Sequence, residues 1–177
     1  LNPIIWSDMY FRMGNKELSY YDKSTVIPED VRKKIPSNVT LCYWDYYHLD
    51  QEFYEDWIQR HRALGFDPHM GSGVWTWVCM WYDHEQTVNT VTPCLNACRK
   101  EKVSEVYFTM WGDNGAYCDY DSSLAGLAWA ADLARPWLVP YNGSEPRHCR
   151  LPRKASHRRV PPRRVRSLSA GGRGTDI

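Results

Sequence analysis

The 177-residue chain has no apolar run approaching the length of a membrane span, so nothing in it reads as a transmembrane helix. No basic segment followed by an apolar stretch stands at its start, and nothing else marks it for secretion. No glycine-rich phosphate loop follows any strand-like run, which argues against a nucleotide-binding sheet. The six cysteines (Cys42, Cys79, Cys94, Cys98, Cys118 and Cys149) do not form a metal-ligand pattern. Cys94 and Cys98 lie four apart on an expected helix, without a matching His or Cys pair to complete a zinc site. Cys42 and Cys79 sit in apolar runs, where a free cysteine behaves as a small hydrophobe. Reduced thiols in a cytoplasmic protein, with no metal and no cofactor, are the expectation. An initiator methionine is also lacking. The sequence opens Leu-Asn-Pro-Ile-Ile-Trp, directly in a strand, and this predicts that it is a piece of a longer protein.

What the chain has in excess is tryptophan and tyrosine, nine and twelve residues respectively. Such numbers serve either a packed core or flat surfaces that stack on ligands, sugar rings among them. For any single ring the core is the default. Charge is divided unevenly. From Arg135 onward eleven Lys and Arg stand against Glu145 and Asp176, a net +9, while residues 1–134 carry eleven basic and nineteen acidic side chains, a net −8.

Four segments share one design, an apolar run closing on an aromatic–polar pair: residues 3–8 (PIIWSD), 39–45 (VTLCYWD), 68–77 (PHMGSGVWTW) and 106–113 (VYFTMWGD). Short apolar runs without strict alternation suit strands of a parallel sheet. Helical patterns lie between them. Residues 50–64 place Phe53, Trp57, Ile58 and Leu64 on one face and close at Gly65. Residues 84–101 follow, with a break or a second helix start expected at Pro93. A short helix is expected over 28–34, and another over 122–134 with Asp121 or Ser122 as its N-cap. Trp6, Trp44, Trp75 and Trp111 recur every 31–38 residues, about one βα unit each time. Four such units are half of a (β/α)-barrel. A doubly wound sheet explains the same alternation but lacks its phosphate loop.

The residues from Arg135 onward have no periodicity and are rich in Arg, Pro, Ser and Gly. A disordered tail over 135–177 is expected, with the composition of a frameshift in a GC-rich gene. A basic nucleic-acid arm is the alternative, but its arginines are not interleaved with aromatics, so nucleic acid is not the expected partner.

In a (β/α)-barrel the loops after the strands build the site. Here Trp6 and Asp8, Trp44, Asp45 and Tyr46, Trp75 and Trp77, and Trp111, Asp113 and Asn114 fall at four successive strand ends. Aromatic walls with carboxylates that accept hydrogen bonds from hydroxyls suit a carbohydrate. The plainer reading of any one pair is a core Trp with its Asp capping the next helix. Four at equivalent positions favour a binding site. Of the histidines, His48, His61 and His84 read as scattered core or surface residues. His69, within a strand, could line the site.

Residues 3–12 (PIIWSDMYFR), 43–47 (YWDYY), 73–77 (GVWTW) and 110–115 (MWGDNG) resemble glycoside hydrolase family twenty, in particular its intracellular exo-β-N-acetylhexosaminidases. The resemblance covers residues 1–134 and implies strands five to eight of a TIM (β/α)8 barrel. It implies hydrolysis of terminal N-acetylglucosamine or N-acetylgalactosamine, with the substrate's own acetamido oxygen as nucleophile. The family's acid/base Glu, preceded by Asp, follows the fourth strand, and no adjacent Asp-Glu occurs in this chain. No catalytic residue is therefore assigned. Binding roles carry over: Trp6, Trp75 or Trp77, and Trp111 as the aromatic box, and Asp113 as the carboxylate that holds distal hydroxyls. A tyrosine that holds the acetamido oxygen is also implied, with Tyr43, Tyr46, Tyr47 and Tyr82 as candidates.

Overall fold

The structure, a computed structural model, describes residues 2–138. The sequence beyond Leu138, with Cys149 and most of the expected tail, lies outside the described residues. Four parallel strands, β1 (Ile4–Trp6), β2 (Thr40–Trp44), β3 (His69–Gly73) and β4 (Val106–Thr109), pair in the order β1-β2-β3-β4, with no reversal along the sheet. Helices lie between and after them: α1 (Asp8–Met13), α2 (Glu29–Arg32), α3 (Gln51–Ala63), α4 (His84–Glu101) and α5 (Leu124–Leu138). The molecule is thus α/β, with strands and helices alternating. Each strand is shorter than its apolar run, so Trp75, Trp77 and Trp111 stand in the loops beyond β3 and β4. None of the described helices is long and apolar enough to cross a membrane.

Helix limits follow local chemistry. The Asp50 carboxylate accepts from the Glu52 N–H at 3.0 Å, and Asp83 accepts from Gln86 N–H at 2.9 Å, so α3 and α4 each open on a side-chain cap. Past the end of α3, Gly65 takes a φ of +93°, a left-handed turn that glycine enters without a Cβ penalty. Two expectations need correction. Helix α4 runs unbroken through Pro93, because Val91, Cys94, Leu95 and Cys98 are buried on both sides of it. That packing offsets the roughly 3 kcal/mol that an interior proline costs. Neither Asp121 nor Ser122 caps α5. Both sit in a 3-10 turn (Tyr120–Ser123) capped by Asp119, which accepts from the Asp121 N–H at 3.1 Å. Helix α5 then continues through Arg135 to Leu138, beyond the expected boundary at Ala134.

Strand alternation divides the sheet into two unlike faces. Tyr43, Met70, Val106 and Phe108 face the helices. Tyr43 and Met70 pack with Phe11 of α1, Tyr54, Trp57 and Ile58 of α3, and Cys94 and Cys98 of α4. Val106 and Phe108 meet Val91 and Leu95 of α4 and Ala130 and Ala134 of α5. The opposite face carries Ile4, Trp6, Cys42, Trp44, His69, Gly71, Gly73, Tyr107 and Thr109. Of these, Ile4, Trp6 and Tyr107 remain exposed. Parallel sheets are ordinarily covered on both faces. Among the described residues, this one has its helices on one.

Candidate functional site

The floor of the site is made by glycine. Gly71 and Gly73 stand on the uncovered face of β3, where a Cβ on Gly71 would lie 3.1 Å from the Trp6 ring and 3.2 Å from Trp44 Cβ. A Cβ on Gly73 would lie 2.8 Å from the Tyr46 ring and 2.9 Å from that of Trp77, closer than real contacts allow. Their absence of side chains lets four aromatic rings settle onto the sheet.

Over this floor lies a cavity of about 320 Å3, open at the C-terminal ends of all four strands. That volume is near the lower end of the roughly 300–1,000 Å3 common for small-molecule sites. Trp6 and Asp8 come from β1 and the start of α1, Trp44, Tyr46 and Tyr47 from β2 and its loop, Trp77 from the loop after β3, and Trp111 and Asp113 from the loop after β4. Trp44 and Tyr46 stack with centroids 5.1 Å apart and planes inclined by 30°, and Tyr46 meets Trp77 edge-on at 5.3 Å. Trp6 and Trp111 lie 6.1 Å apart, tilted by 55°. Asp8 is almost fully buried and accepts a hydrogen bond from Trp44 Nε1 at 2.9 Å, which fixes that indole. The Tyr46 hydroxyl is tied to Thr109 Oγ1 at 3.0 Å; burial pushes its pKa up to about 12, so it keeps its proton at physiological pH. Asp113 is exposed at the rim.

Seven of the ten expected binding residues therefore line one cavity: Trp6, Asp8, Trp44, Tyr46, Trp77, Trp111 and Asp113. Three do not. Asp45 is buried and points away, accepting from the Tyr43 hydroxyl (3.1 Å), the Tyr47 N–H (3.0 Å) and His48 Nδ1 (2.7 Å), so it organises the β2–α3 loop. Trp75 stands behind the wall, stacked on Trp77 at 4.2 Å. Asn114 takes a left-handed φ of 62° and lines a neighbouring cavity of about 210 Å3 with Val78, Met80 and Tyr117. Asn-Gly is a turn signal, and the loop uses it as one.

Among the four candidate tyrosines, Tyr46 and Tyr47 reach the cavity. Tyr43 belongs to the helix-side core, and Tyr82 lies against Gly126 of α5 with its hydroxyl 3.0 Å from His84 Nδ1. His69 does not line the site either. It begins β3, at the end of the strand remote from the cavity, with Nδ1 3.1 Å from the Tyr107 hydroxyl.

One supporting pair had no signal in the sequence. Ser7, between Trp6 and Asp8, has its Oγ 3.0 Å from the Cys42 carbonyl and 2.7 Å from Nε2 of the buried His61. The other ring nitrogen of His61 is 2.6 Å from the Trp57 carbonyl. Burial drives the His61 pKa down to about 4, so the imidazole is neutral at pH 7 and anchors the end of β1 to α3. Ser7 and His61 are 54 positions apart, and only the fold joins them.

The cavity can hold a small ligand that has both flat apolar faces and hydroxyl groups. Its rings offer stacking surfaces, and Asp8 and Asp113 offer acceptors. Among the described residues no group of three or more His, Cys, Asp or Glu side chains is placed to hold a metal ion. No family model matches the chain, and no curated protein matches it.

Proposed function

We propose that this chain supplies the sugar-holding part of a retaining β-N-acetylhexosaminidase of the glycoside hydrolase family 20 kind, binding a terminal N-acetylglucosamine or N-acetylgalactosamine. The observation that carries the reading is the cavity at four adjacent strand ends, in which four indoles and two tyrosines converge with Asp8 and Asp113. Sugar recognition needs that combination: rings under the C–H faces and carboxylates for the hydroxyls. The scaffold reading is half of a (β/α)8 barrel, its strands five to eight. A strand order without reversal, helices on one face only and a site at the C-terminal strand ends all support it. A doubly wound sheet reverses its strand order and covers both faces.

The chemistry of the reading is substrate-assisted. The acetamido oxygen attacks the anomeric carbon, while an acid/base Glu protonates the leaving oxygen. In this chain Trp111, Trp77 and Trp6 would wall the acetamido group, Tyr46 or Tyr47 would donate to its oxygen, and Asp113 would hold the distal hydroxyls. The Asp-Glu pair for proton transfer does not occur in the 177 residues, so the chain binds without cutting.

Tryptophan fluorescence during titration with N-acetylglucosamine tests the reading. Binding should be stronger than for glucose, and Trp111→Ala should weaken it by about tenfold or more, about 1.4 kcal/mol. Equal response to glucose, or indifference to Trp111→Ala, would sink it. Because general acid catalysis contributes roughly 10²–10⁴-fold, a chromogenic β-N-acetylglucosaminide should not turn over above buffer.

A further inference from the structure

Beside the sugar cavity two loops run clasped together, the one after β3 (residues 74–83) and the one after β4 (residues 110–119). Thr76 Oγ1 donates to the Trp111 carbonyl at 2.9 Å and lies 3.1 Å from the Trp111 nitrogen. The Val78 N–H reaches the Asp113 carbonyl at 3.5 Å, and the Asp119 N–H reaches the Met80 carbonyl at 3.4 Å. This last bond sets Met80 and Asp119 side by side, and each directly follows a cysteine. The two loops run alongside one another, so Cys79, partly exposed, and Cys118, buried, stand on adjoining backbone, with the Cys79 thiol 4.0 Å from the Trp75 carbonyl and the Cys118 thiol 3.7 Å from that of Asp119. Burial, and after it the nearby Cys118 thiol, raise the Cys79 pKa above its ordinary value. The other cysteines of the described residues are differently placed. Cys42 is buried within the sheet, on the face that carries Trp6 and Gly71, and Cys94 and Cys98 are buried within one helix. Val78 holds a left-handed φ of 60°, a strained conformation for a β-branched residue, next to Cys79.

We infer that Cys79 and Cys118 are a disulfide modification site, oxidised by exchange with a low-molecular-weight disulfide, and that the bond staples together the loops bearing Trp77 and Asp113. Cys79, the more accessible of the two, attacks as thiolate one sulfur of the small disulfide. That S–S bond breaks, one small thiolate leaves, and a mixed disulfide remains on Cys79. Cys118 then loses its proton, attacks the Cys79 sulfur and expels the second small thiolate. Two protein thiols are oxidised, and one small disulfide is reduced to two thiols, which take up the two protons. The burial of Cys118, away from solvent, makes it the resolving partner.

Treating the full chain with oxidised glutathione, alkylating the remaining thiols and mapping peptides by mass spectrometry tests this directly. The expected product has lost two alkylatable thiols and about 2 Da, the two hydrogens removed, with Cys79 joined to Cys118 and dithiothreitol reversing it. Cys118→Ser should instead trap glutathione on Cys79. Amide exchange over residues 76–80 and 111–119 should slow by about tenfold or more in the oxidised chain. Linkage of Cys79 to any other cysteine, glutathione on Cys79 with Cys118 still alkylatable in the unaltered chain, or no reaction at either thiol would overturn the inference. None of these readouts involves sugar, so the inference stands or falls apart from the proposed function.

Discussion

The two faces of the sheet use the same residue types for opposite purposes. On the helix side Tyr43, Tyr54 and Trp57 are fully buried, and Phe11 meets Trp57 edge-on at 4.8 Å. The tyrosine hydroxyls there are spent inside the protein, Tyr43 on Asp45 and Tyr54 on the His48 carbonyl. On the other side Trp6 and Tyr47 keep 43% and 55% of their surface in solvent, and the rings of Trp6, Tyr46 and Trp77 close on Gly71 and Gly73 of β3. Adjacent residues of one strand, Tyr43 and Trp44, belong to different faces. The lesson is that an aromatic count describes neither a core nor a site until the alternation of the strand assigns each ring to one of them.

The largest effect should come from the core. Trp57→Ala should cost about 3–5 kcal/mol, read as a fall in the denaturant midpoint, whereas Trp111→Ala should change stability far less and remove sugar binding. If the two mutants lost equal stability, the division between faces would fail.

The buried histidine sharpens the comparison through pH. An unfolded His titrates near 6.5, while His61 in the fold stays neutral down to about 4. Between those values the unfolded chain binds a proton that the folded chain refuses, so stability falls as pH falls from about 6.5 to 4, by up to about 3 kcal/mol. Urea titrations of the parent and His61→Gln at several pH values check this. The parent should lose the larger amount across that window, and parallel curves would exclude His61 as the source.

Filling the floor should act on the uncovered face alone. Gly73→Ala places a methyl group on Tyr46 and Trp77, so both rings must move. The expected result is lost sugar binding with a stability cost of about 1–3 kcal/mol, typical of overpacking. Retained affinity in this variant would show that the cavity floor is not used. The smallest effect belongs to the cap. Asp50→Ala should cost about 1 kcal/mol through α3 and leave the site untouched, measurable as a modest drop in melting temperature with unchanged ligand titration.

Much of this was legible in the chain because it depends on neighbours in sequence. The apolar runs gave the strands, Asp50 and Gly65 bounded α3, and the Trp, Asp and Tyr46 side chains at strand ends gave seven of the cavity's eight wall residues. The eighth, Tyr47, was visible only as one of four tyrosines. Asp45 was misplaced for an instructive reason. Its pairing with Trp44 looked like that of Asp8 with Trp6, but strand alternation turns it from the side on which Trp44 lies, toward Tyr43 and His48.

What the sequence by itself determined is the order of the four strands and of helices α2 to α5, their approximate limits and the placing of aromatics and carboxylates at strand ends, since periodicity and capping are local properties; the short helix α1 was not legible in it. What only the tertiary structure decided is which rings wall a cavity and which fill a core. It also decided that Ser7 meets His61 across 54 positions, and that Cys79 and Cys118 stand on adjoining loops. Burial and contact are set by the register and twist of strands whose partners lie 27 or more residues away, and no local pattern encodes them.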